Sequence, residues 1–403
     1  MKKFERFLIR KQLVEQYDPD QRIFDQQQQI KNQGQEARSL KEISDASNGF
    51  VAYIYADGNN MGQYIRDKIK TPEEYRQFSE DIFETIEQSV YAALAKHLTP
   101  CCYKPDGQSN RKTKLPVWIH PFEIITIGGD DVLLVIPANQ TLAIAQTIGK
   151  TFEDTLAQKY PVPSMPVDAS PYKCHRYKKE AAPPPQCCLS LSTGVLITAD
   201  NTPIYYADKL VSQLLKSAKK HAKTLRDKQY YGGTVDFLTL KAVTMISSSV
   251  EEFRTEGLTF ERVNSGHTQI LKLYAAPYTL HELGGVLKTV EALKKAKFPR
   301  SQLYQIRSLL EQGKRTAILN YRYFRVRLDR NKQKLLQDEF EAAWCEAETN
   351  NGNLAPWLTA DREPTKTTYE TLWRELVELE PLIDDLPDIE YPANPAAPTE
   401  AAP

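Results

Sequence analysis

The most restrictive feature of the sequence is an unbroken apolar run at 50–56, which reads FVAYIYA and ends abruptly at a polar turn. A strand of this composition needs cover on both faces, since exposing either apolar face to water would forfeit the free energy of burial. Asp57 follows the run directly and begins the turn Asp57-Gly58-Asn59-Asn60. The sequence therefore predicts a buried strand that carries a carboxylate to the edge of a sheet.

Strand and helix signals alternate after this first strand. Thr71-Pro72-Glu73-Glu74 combines an N-cap, a proline at the first helical position and a capping-box glutamate, which predicts a helix to about residue 98. The apolar runs 117–127 and 132–136 flank Gly128-Gly129-Asp130-Asp131, and this pattern is typical of a hairpin because glycine supplies positive φ. A helix, a strand, a helix and a strand are then predicted, at 141–160, 189–198, 203–225 and 235–238. We expect an α+β fold whose sheet is covered by helices on one face.

The chain divides into four predicted regions. They are a polar N-terminal extension (1–47), a catalytic domain with insertions at about 99–116 and 161–186 (48–240), a helical domain (241–381) and a disordered acidic tail rich in Pro and Ala (382–403). The chain has 52 basic and 52 acidic residues, but eight acidic residues and no Lys or Arg follow Arg374. The rest therefore carries a net charge of plus 8, which favours nucleotides or occasional RNA contact as partners.

The sequence has no uncharged apolar run near the ~20 residues of a membrane span. Its first 30 residues are charged and glutamine-rich, unlike a secretory leader. We expect a soluble, cytoplasmic protein with no membrane contact.

Three carboxylates, those of Asp57, Asp130 and Asp131, should converge if the first strand lies beside the hairpin. They would repel one another without a counter-ion. Mg²⁺, or Mn²⁺ in its place, suits such a site because it binds carboxylates together with substrate phosphates. Two such ions would activate a sugar hydroxyl and neutralise departing pyrophosphate, so the pattern predicts nucleotidyl transfer. The alternative is a solvated surface hairpin, but the runs that flank the turn are too apolar for a hairpin that projects into solvent.

The glycines near these carboxylates fit a nucleotide site. Gly58 and Gly62 flank the turn after the first strand, where backbone N–H groups can cradle a triphosphate. Gly128 and Gly129 carry no side chains, so a base or ribose could lie directly on the hairpin backbone. Neither pattern is specific alone.

The segments Ala56-Asp57-Gly58-Asn59-Asn60-Met61-Gly62 and Ile127-Gly128-Gly129-Asp130-Asp131 resemble the active palm of the large polymerase-like subunit of type III CRISPR effector complexes. That palm is related to GGDEF diguanylate cyclases. The resemblance extends over roughly 48–320 through the segments 191–194, 203–204, 218–219 and 298–303. It implies a ferredoxin-like palm of the nucleotidyl cyclase/polymerase type, followed by a C-terminal all-α domain. It also implies that ATP or another NTP becomes a cyclic di- or oligonucleotide messenger in antiviral defence.

The resemblance also implies roles for individual residues. Asp57 and Asp130 would bind the metal ions, Asp131 would complete the acidic hairpin, and the Gly58 carbonyl would assist. The implied nucleotide contacts are Gly58, Asn59, Asn60, Gly62, Gly128, Gly129 and Lys219. Lys219 would reach a phosphate, although a solvated helix face shared with neighbouring lysines is an equal alternative.

The chain departs from the family pattern in three ways. Asn59 stands where the family often has Asp, and no His-Asp nuclease motif is present. Only one palm is found where the family has two, so a homodimer or a second palm-containing subunit would have to complete the site. The alternative function is a non-catalytic nucleotide-binding or scaffold subunit of a type III RNA-guided complex, with CRISPR-type proteins and RNA as partners. A cyclase acting on one nucleotide is a third possibility.

Two weaker patterns remain. A tetrahedral zinc site could form from ligands in the two insertions, although unreactive buried thiols are the favoured interpretation; these residues are Cys101, Cys102, Cys174, His175, Cys187 and Cys188. The segment 314–327 mixes cations with aromatics and could be a surface for RNA or a partner subunit. The favoured interpretation there is a helix whose aromatics face the core while its arginines face water.

Overall fold

The computed structural model describes residues 11–21, 34–104, 117–162, 174–240, 249–264, 266–345 and 354–383. Much of the predicted N-terminal extension, parts of both insertions and residues 384–403 of the predicted disordered tail lie outside these ranges. No helix within them combines the length and apolar character needed to cross a bilayer.

The elements up to residue 240 follow the predicted alternation of strands and helices. In chain order they are α1 (Lys11–Tyr17), β1 (Gly34–Glu36), α2 (Leu40–Ser44), β2 (Phe50–Asn59), α3 (Met61–Lys68), α4 (Pro72–His97), β3 (Cys101–Tyr103), β4 (Val117–His120), β5 (Glu123–Gly128), β6 (Asp131–Pro137), α5 (Thr141–Leu156), β7 (Ser190–Ala199), α6 (Ile204–Asp227) and β8 (Thr234–Leu240). The capping box of α4 is confirmed, because the Thr71 hydroxyl accepts from the Glu74 amide and the Glu74 carboxylate accepts from the Thr71 amide.

Five strands of this region and β11, the two-residue strand Tyr278–Thr279, form a six-stranded sheet with the order β11-β8-β7-β2-β6-β5. The short strands β1, β4 and β3 form a separate three-stranded sheet. β2 lies at the centre and pairs antiparallel with both β6 and β7, whereas β7 and β8 are parallel. β2, α4, β5, β6, α5 and β7 follow one another in the βαββαβ order of a ferredoxin-like palm, so the predicted α+β palm is confirmed.

Helices cover both faces of the sheet, and the prediction of one covered face is wrong. Ala52 and Ile54 of β2 share an apolar cluster with residues of α4 and α5. Val51 and Tyr53 point to the opposite face and share a second cluster with Leu210 and other residues of α6. The crossover from β7 to its parallel neighbour β8 places α6 on that second face.

The region after residue 249 continues with α7 (Val250–Glu252), β9 (Thr259–Asn264), β10 (His267–Lys272), β11, α8 (Leu280–Lys295), α9 (Arg300–Leu310), α10 (Lys314–Arg327), α11 (Arg330–Leu336), α12 (Ala342–Trp344), β12 (Leu358–Glu363), β13 (Lys366–Glu370) and α13 (Trp373–Leu379). The expected helices are present. The description of this region as all-α is nevertheless wrong, because β12, β13, β10 and β9 form a four-stranded sheet. β12 is almost wholly exposed and polar, so it lacks the apolar alternation that would have indicated a strand.

The apolar core of the palm continues into this second region without a break. Part of the second insertion is anchored there by Arg176, whose guanidinium donates to the buried carboxylates of Glu282 and Glu370 and stacks over the Tyr278 ring. These contacts hold the insertion against the start of α8, beside the palm sheet.

The candidate zinc ligands do not assemble into one site. Cys187 and Cys188 are buried thiols of the palm core, whereas Cys102 is exposed on β3. His175 is committed elsewhere, since its Nδ1 lies 2.9 Å from the Thr279 hydroxyl. Within the described ranges no three His, Cys, Asp or Glu side chains stand in metal-binding geometry.

One buried carboxyl on α5 makes folding stability depend on pH. Burial raises the pKa of Glu153 to about 8, although the Gly233 amide donates to it. Between the unfolded pKa near 4.5 and this value, the native chain holds a proton that the unfolded chain releases. The free energy of unfolding therefore falls as pH rises through that window, by a few kcal/mol to order of magnitude.

Glu153→Gln should remove this pH dependence while keeping an acceptor for the Gly233 amide. We expect the urea midpoint of the variant to change less than that of the unmodified chain between pH 5 and pH 8.5. The matched control is Glu80→Gln, at a carboxylate whose side chain is 54% exposed. Equal pH dependence in all three proteins would contradict this account.

Candidate active site

The predicted hairpin is present and places its acidic tip next to the end of β2. Gly128 pairs with Asp131 across the β5–β6 ladder, so the loop consists of Gly129 and Asp130. Gly129 adopts φ +63°, a conformation that L side chains rarely take, which is why glycine is suited to the first loop position. The turn prediction is therefore confirmed.

Strand register brings the acidic turn of β2 to the same edge. Ala56 pairs with Val132, so the next residues along the two strands are Asp57 and Asp131. On its other side Asp57 lies opposite Ser192 of β7. A one-residue slip in the β2–β6 ladder would turn every side chain of one strand to the opposite face of the sheet and would separate these carboxylates.

Asp130 lies directly over the backbone of Gly58. A Cβ atom on Gly58 would stand 2.5 Å from Asp130 Oδ2, so only glycine permits this approach. Burial and repulsion from Asp57 raise the pKa of Asp130, whereas a hydrogen bond from the Gly58 backbone lowers it. Burial also raises the pKa of Asp131, followed by repulsion from Asp57 and Asp130. The three predicted carboxylates thus interact electrostatically as one cluster.

Lys219 of α6 reaches this cluster, where its Nζ donates to Asp57 Oδ2. The family resemblance implies a phosphate contact for this lysine, and in the structure its ammonium group contacts a carboxylate. This contact lies on the Asp57 side of the carboxylate cluster. Because Lys219 supplies one positive charge to three carboxylates, the cluster keeps a net charge of minus 2 when all four groups are ionised.

Asn59 is held by two serine hydroxyls of β7. Its Nδ2 donates to Ser190 at 3.0 Å, and its Oδ1 accepts from Ser192 at 2.8 Å. Ser192 also lies 3.2 Å from the Thr234 hydroxyl, so the bond network continues to β8. This network fixes the floor of the turn that follows Asp57.

Asn60 closes the turn and links it to α6. It adopts φ +68°, in the left-handed region where Asn is among the commoner non-glycine residues. Its Oδ1 accepts from Arg226 Nη1 at 2.5 Å, and its Nδ2 donates to the Cys188 carbonyl at 3.4 Å. The end of β2 is therefore clamped against the last turns of α6.

A cavity of about 220 Å³ opens between this turn and α6. Its lining combines the backbone of the turn, small or polar residues of β7 and a basic helix face; the residues are Gly58, Asn59, Asn60, Cys188, Ser190, Lys219, Ala222, Lys223, Arg226, Tyr231 and Gly232. The cavity thus joins the carboxylate cluster at Gly58 and Lys219.

Three cations of α6 line the cavity, at Lys219, Lys223 and Arg226. They are four and three residues apart, so they share one helix face. Sequence reasoning selected Lys219 and treated Lys223 as part of a solvated face, and it missed Arg226. The i, i+4, i+7 spacing was the available signal.

Some residues that were predicted to contact the nucleotide do not line the cavity. Gly62 is in the first turn of α3, and a Cβ there would meet only Arg66, at 3.6 Å. Gly128 and Gly129 belong to the hairpin and, like the three carboxylates, are outside the cavity lining. The structure therefore assembles an acidic hairpin edge beside a basic cavity.

The donor set of the acidic edge fits a hard divalent cation. Asp57, Asp130 and Asp131 offer carboxylate oxygens, and burial together with mutual repulsion raises the pKa values of Asp130 and Asp131, so added positive charge would favour their ionised forms. The three do not by themselves form a closed metal cage in the described part of the chain. Mg²⁺ characteristically binds through one or two carboxylates and completes its shell with water and substrate phosphates.

Comparison with known proteins agrees with this geometry. Residues 50–229 match the family model described as Cas10/Cmr2, second palm domain. No curated protein matches this chain.

Several solved structures are similar over parts of the chain. A Csm1–Csm4 cassette in complex with cA4 is 14% identical with a TM-score of 0.47, over 89% of this chain and 39% of that one. Csm1 of T. onnurineus is 15% identical with a TM-score of 0.37, over 68% and 31%. The Vibrio cholerae LapD S helix-GGDEF-EAL protein, bound to c-di-GMP, is 12% identical with a TM-score of 0.24, over 67% and 52%. The chain thus spans about a third of the length of the Csm1 chains.

Proposed function

Because residues 50–229 match the family model of the Cas10/Cmr2 second palm domain, we propose that this chain is a Mg²⁺-dependent nucleotidyltransferase. It would convert ATP or another NTP into a cyclic di- or oligonucleotide, with release of pyrophosphate, as a messenger in CRISPR-type antiviral defence. The observation that carries the proposal is the juxtaposition of the Asp57–Asp130–Asp131 cluster with the cation-lined cavity.

The site has two halves, an acidic edge that would bind the metal ion and a basic cavity that would bind the triphosphate. Asp57, Asp130 and the Gly58 carbonyl would hold Mg²⁺, which supplies charge neutralisation and an activated hydroxyl when bound. Lys219, Lys223 and Arg226 would hold the triphosphate against the backbone of 58–60, because anions are stabilised by cations and by backbone N–H groups together. Lys219 would then exchange Asp57 for a phosphate oxygen.

The phosphate role of Lys223 predicts a binding defect. Lys223→Ala should raise KM for the NTP by about tenfold, the factor expected from ~1.4 kcal/mol of lost charge-assisted hydrogen bonding, with a smaller change in kcat. The matched control is Lys220→Ala, on the same helix but outside the cavity lining, which should leave KM unchanged. Steady-state pyrophosphate release measures both, and equal KM values in the two variants would refute the assignment.

The proposal includes a second palm, since one palm presents one acidic edge and messenger synthesis needs two nucleotides. A second copy of this chain is the preferred partner, and a different palm-containing subunit is the alternative. For a homodimer, activity per chain should rise most steeply at protein concentrations near the dissociation constant and should level off well above it. Sedimentation velocity over the same concentration range checks that assembly and activity rise together.

A second candidate function is favoured by the ion pair between Lys219 and Asp57. That pair neutralises a proposed metal ligand, as a palm that holds a nucleotide without catalysis would allow. The chain would then be a sensor or scaffold in a type III RNA-guided complex, in contact with CRISPR-type subunits and RNA.

Incubation of the full chain with each NTP and Mg²⁺ separates the two functions. The enzyme releases pyrophosphate and forms a product whose mass identifies the ring size, and one nucleotide per product would indicate a cyclase. Absence of pyrophosphate release across protein concentrations, with nucleotide binding retained, would favour the scaffold.

A further inference from the structure

The outer face of α10 carries an apolar stripe that no described residue covers. Leu319, Tyr323 and Val326 are 65%, 61% and 68% exposed, which is high for large apolar side chains. They are four and three residues apart and therefore lie on one side of the helix. We call these three residues the α10 stripe.

Positive charge surrounds the α10 stripe. The exposed cations are Arg315, Arg322, Arg327 and Arg330, and the helix itself contains no Asp or Glu. Tyr321 and Phe324 are buried on the inner face, as the favoured sequence interpretation predicted. Tyr323 departs from it, because its ring is outside, with the Arg327 guanidinium 5.1 Å from its centroid.

The described chain ends among residues that pack against the inner face of α10. Ile383 is buried, and its carbonyl accepts from Lys294 Nζ. Phe298, four residues beyond Lys294, contacts Phe324 on the inner face of α10, with ring centroids 6.3 Å apart. The last described residue, Ile383, is therefore linked to the inner face of α10 through Lys294 and Phe298.

The residues that follow match the α10 stripe in charge and polarity. Segment 384–391 reads DDLPDIEY, with four carboxylates interleaved with Leu386, Ile389 and Tyr391 and with no base. We propose that this segment docks on the α10 stripe, placing its apolar side chains on the stripe and its carboxylates against the surrounding arginines. Eight extended residues reach ~26 Å, which exceeds the sum of the ~11 Å diameter of a helix and the ~10 Å between Leu319 and Val326 along its axis.

Other occupants match the face less well. A second copy packed through the same face about a two-fold axis would oppose the two sets of arginines, which would repel. Nucleic acid would satisfy the arginines but would leave Leu319 and Val326 without apolar cover, because only Tyr323 offers a stacking surface. The acidic and apolar segment satisfies both parts of the face.

Limited digestion of the full chain with a glutamate-specific protease tests the proposal. Glu390 lies within the docked segment, and Glu400 lies beyond it as an internal reference. The ratio of cleavage rates, Glu390 to Glu400, is followed by intact mass. In the variant Leu319→Lys/Val326→Lys we expect this ratio to rise by about tenfold, since the docked state should be lost.

The matched control is Val263→Lys, at an apolar side chain that is 70% exposed on β9, and it should leave the ratio unchanged. A third variant, Asp385→Asn/Asp388→Asn, should raise the ratio through the carboxylates alone, and 0.5 M NaCl should do the same in the unmodified chain. All substituted positions on the folded part are exposed, so circular dichroism should show unchanged folding.

An unchanged cleavage ratio in the stripe variant would overturn the proposal. Protection of Glu390 that disappears when the chain is diluted a hundredfold would also overturn it, because the segment would then dock on a second copy of the chain. If Glu390 is protected from cleavage only after RNA is added, the α10 stripe and its arginines bind nucleic acid, and this result would also contradict intramolecular docking.

Discussion

Asp57→Asn should lower NTP turnover by at least about a thousandfold, which is the order of effect expected when a ligand of a catalytic metal ion loses its charge. Asp57 is where the two halves of the site meet. It repels Asp130 and Asp131 electrostatically, and it accepts a hydrogen bond from Lys219 of the basic face. Asparagine keeps the size of the side chain and removes the charge. Pyrophosphate release under saturating Mg²⁺ is the measurement.

The matched control is Asp208→Asn, because Asp208 is an exposed carboxylate of α6 and its loss changes the net charge equally. It should retain activity within about twofold. Asp130→Ala and Asp131→Ala should lose activity while remaining folded, since turn carboxylates contribute little to the core. Comparable turnover by the Asp57 and Asp208 variants would show that chemistry does not depend on the acidic edge.

Gly194→Ala should unfold the palm or destabilise it by about 3 kcal/mol or more, as overpacking against a rigid backbone does. Gly194 of β7 faces α6 so closely that a Cβ would stand 2.5 Å from the Val211 carbonyl oxygen and would also meet the Leu215 amide. These neighbours are backbone atoms of a helix and cannot rotate away. Denaturant unfolding followed by circular dichroism measures the loss.

Gly62→Ala is the matched control, since a Cβ there meets only the end of Arg66 and the residue lies within α3. It should be neutral or should stabilise the chain by up to ~1 kcal/mol, the usual gain from replacing glycine inside a helix. If both variants unfold at the same denaturant concentration, the close approach of β7 and α6 does not limit stability.

The palm was predictable from sequence because its signals are local and agree with one another. The apolar run that becomes β2, the capping box of α4 and the glycine turn before β6 each fix one element within a few residues. Convergence of Asp57 with the hairpin then follows from pairing of two strands that are apolar throughout. The site was found because charged residues at the ends of buried strands are conspicuous.

The remaining features depend on pairings between distant parts of the chain. β10 pairs in parallel with β13 about a hundred residues later, and β9 and β12 are polar strands with little apolar alternation. The second face of the palm sheet is set by a crossover helix, and sequence periodicity does not say which face a helix takes. Arg226 was missed because its role depends on Asn60, far away in the sequence.

Binding of a non-hydrolysable ATP analogue, measured calorimetrically with and without Mg²⁺, tests the central claim most directly. If the acidic edge and the α6 cations together hold a metal-bound triphosphate, Mg²⁺ should tighten binding by at least about tenfold, and Asp57→Asn should abolish that gain while leaving the weaker metal-free binding. Equal affinity with and without Mg²⁺, in both proteins, would contradict the account, because the carboxylates would then take no part in holding the nucleotide.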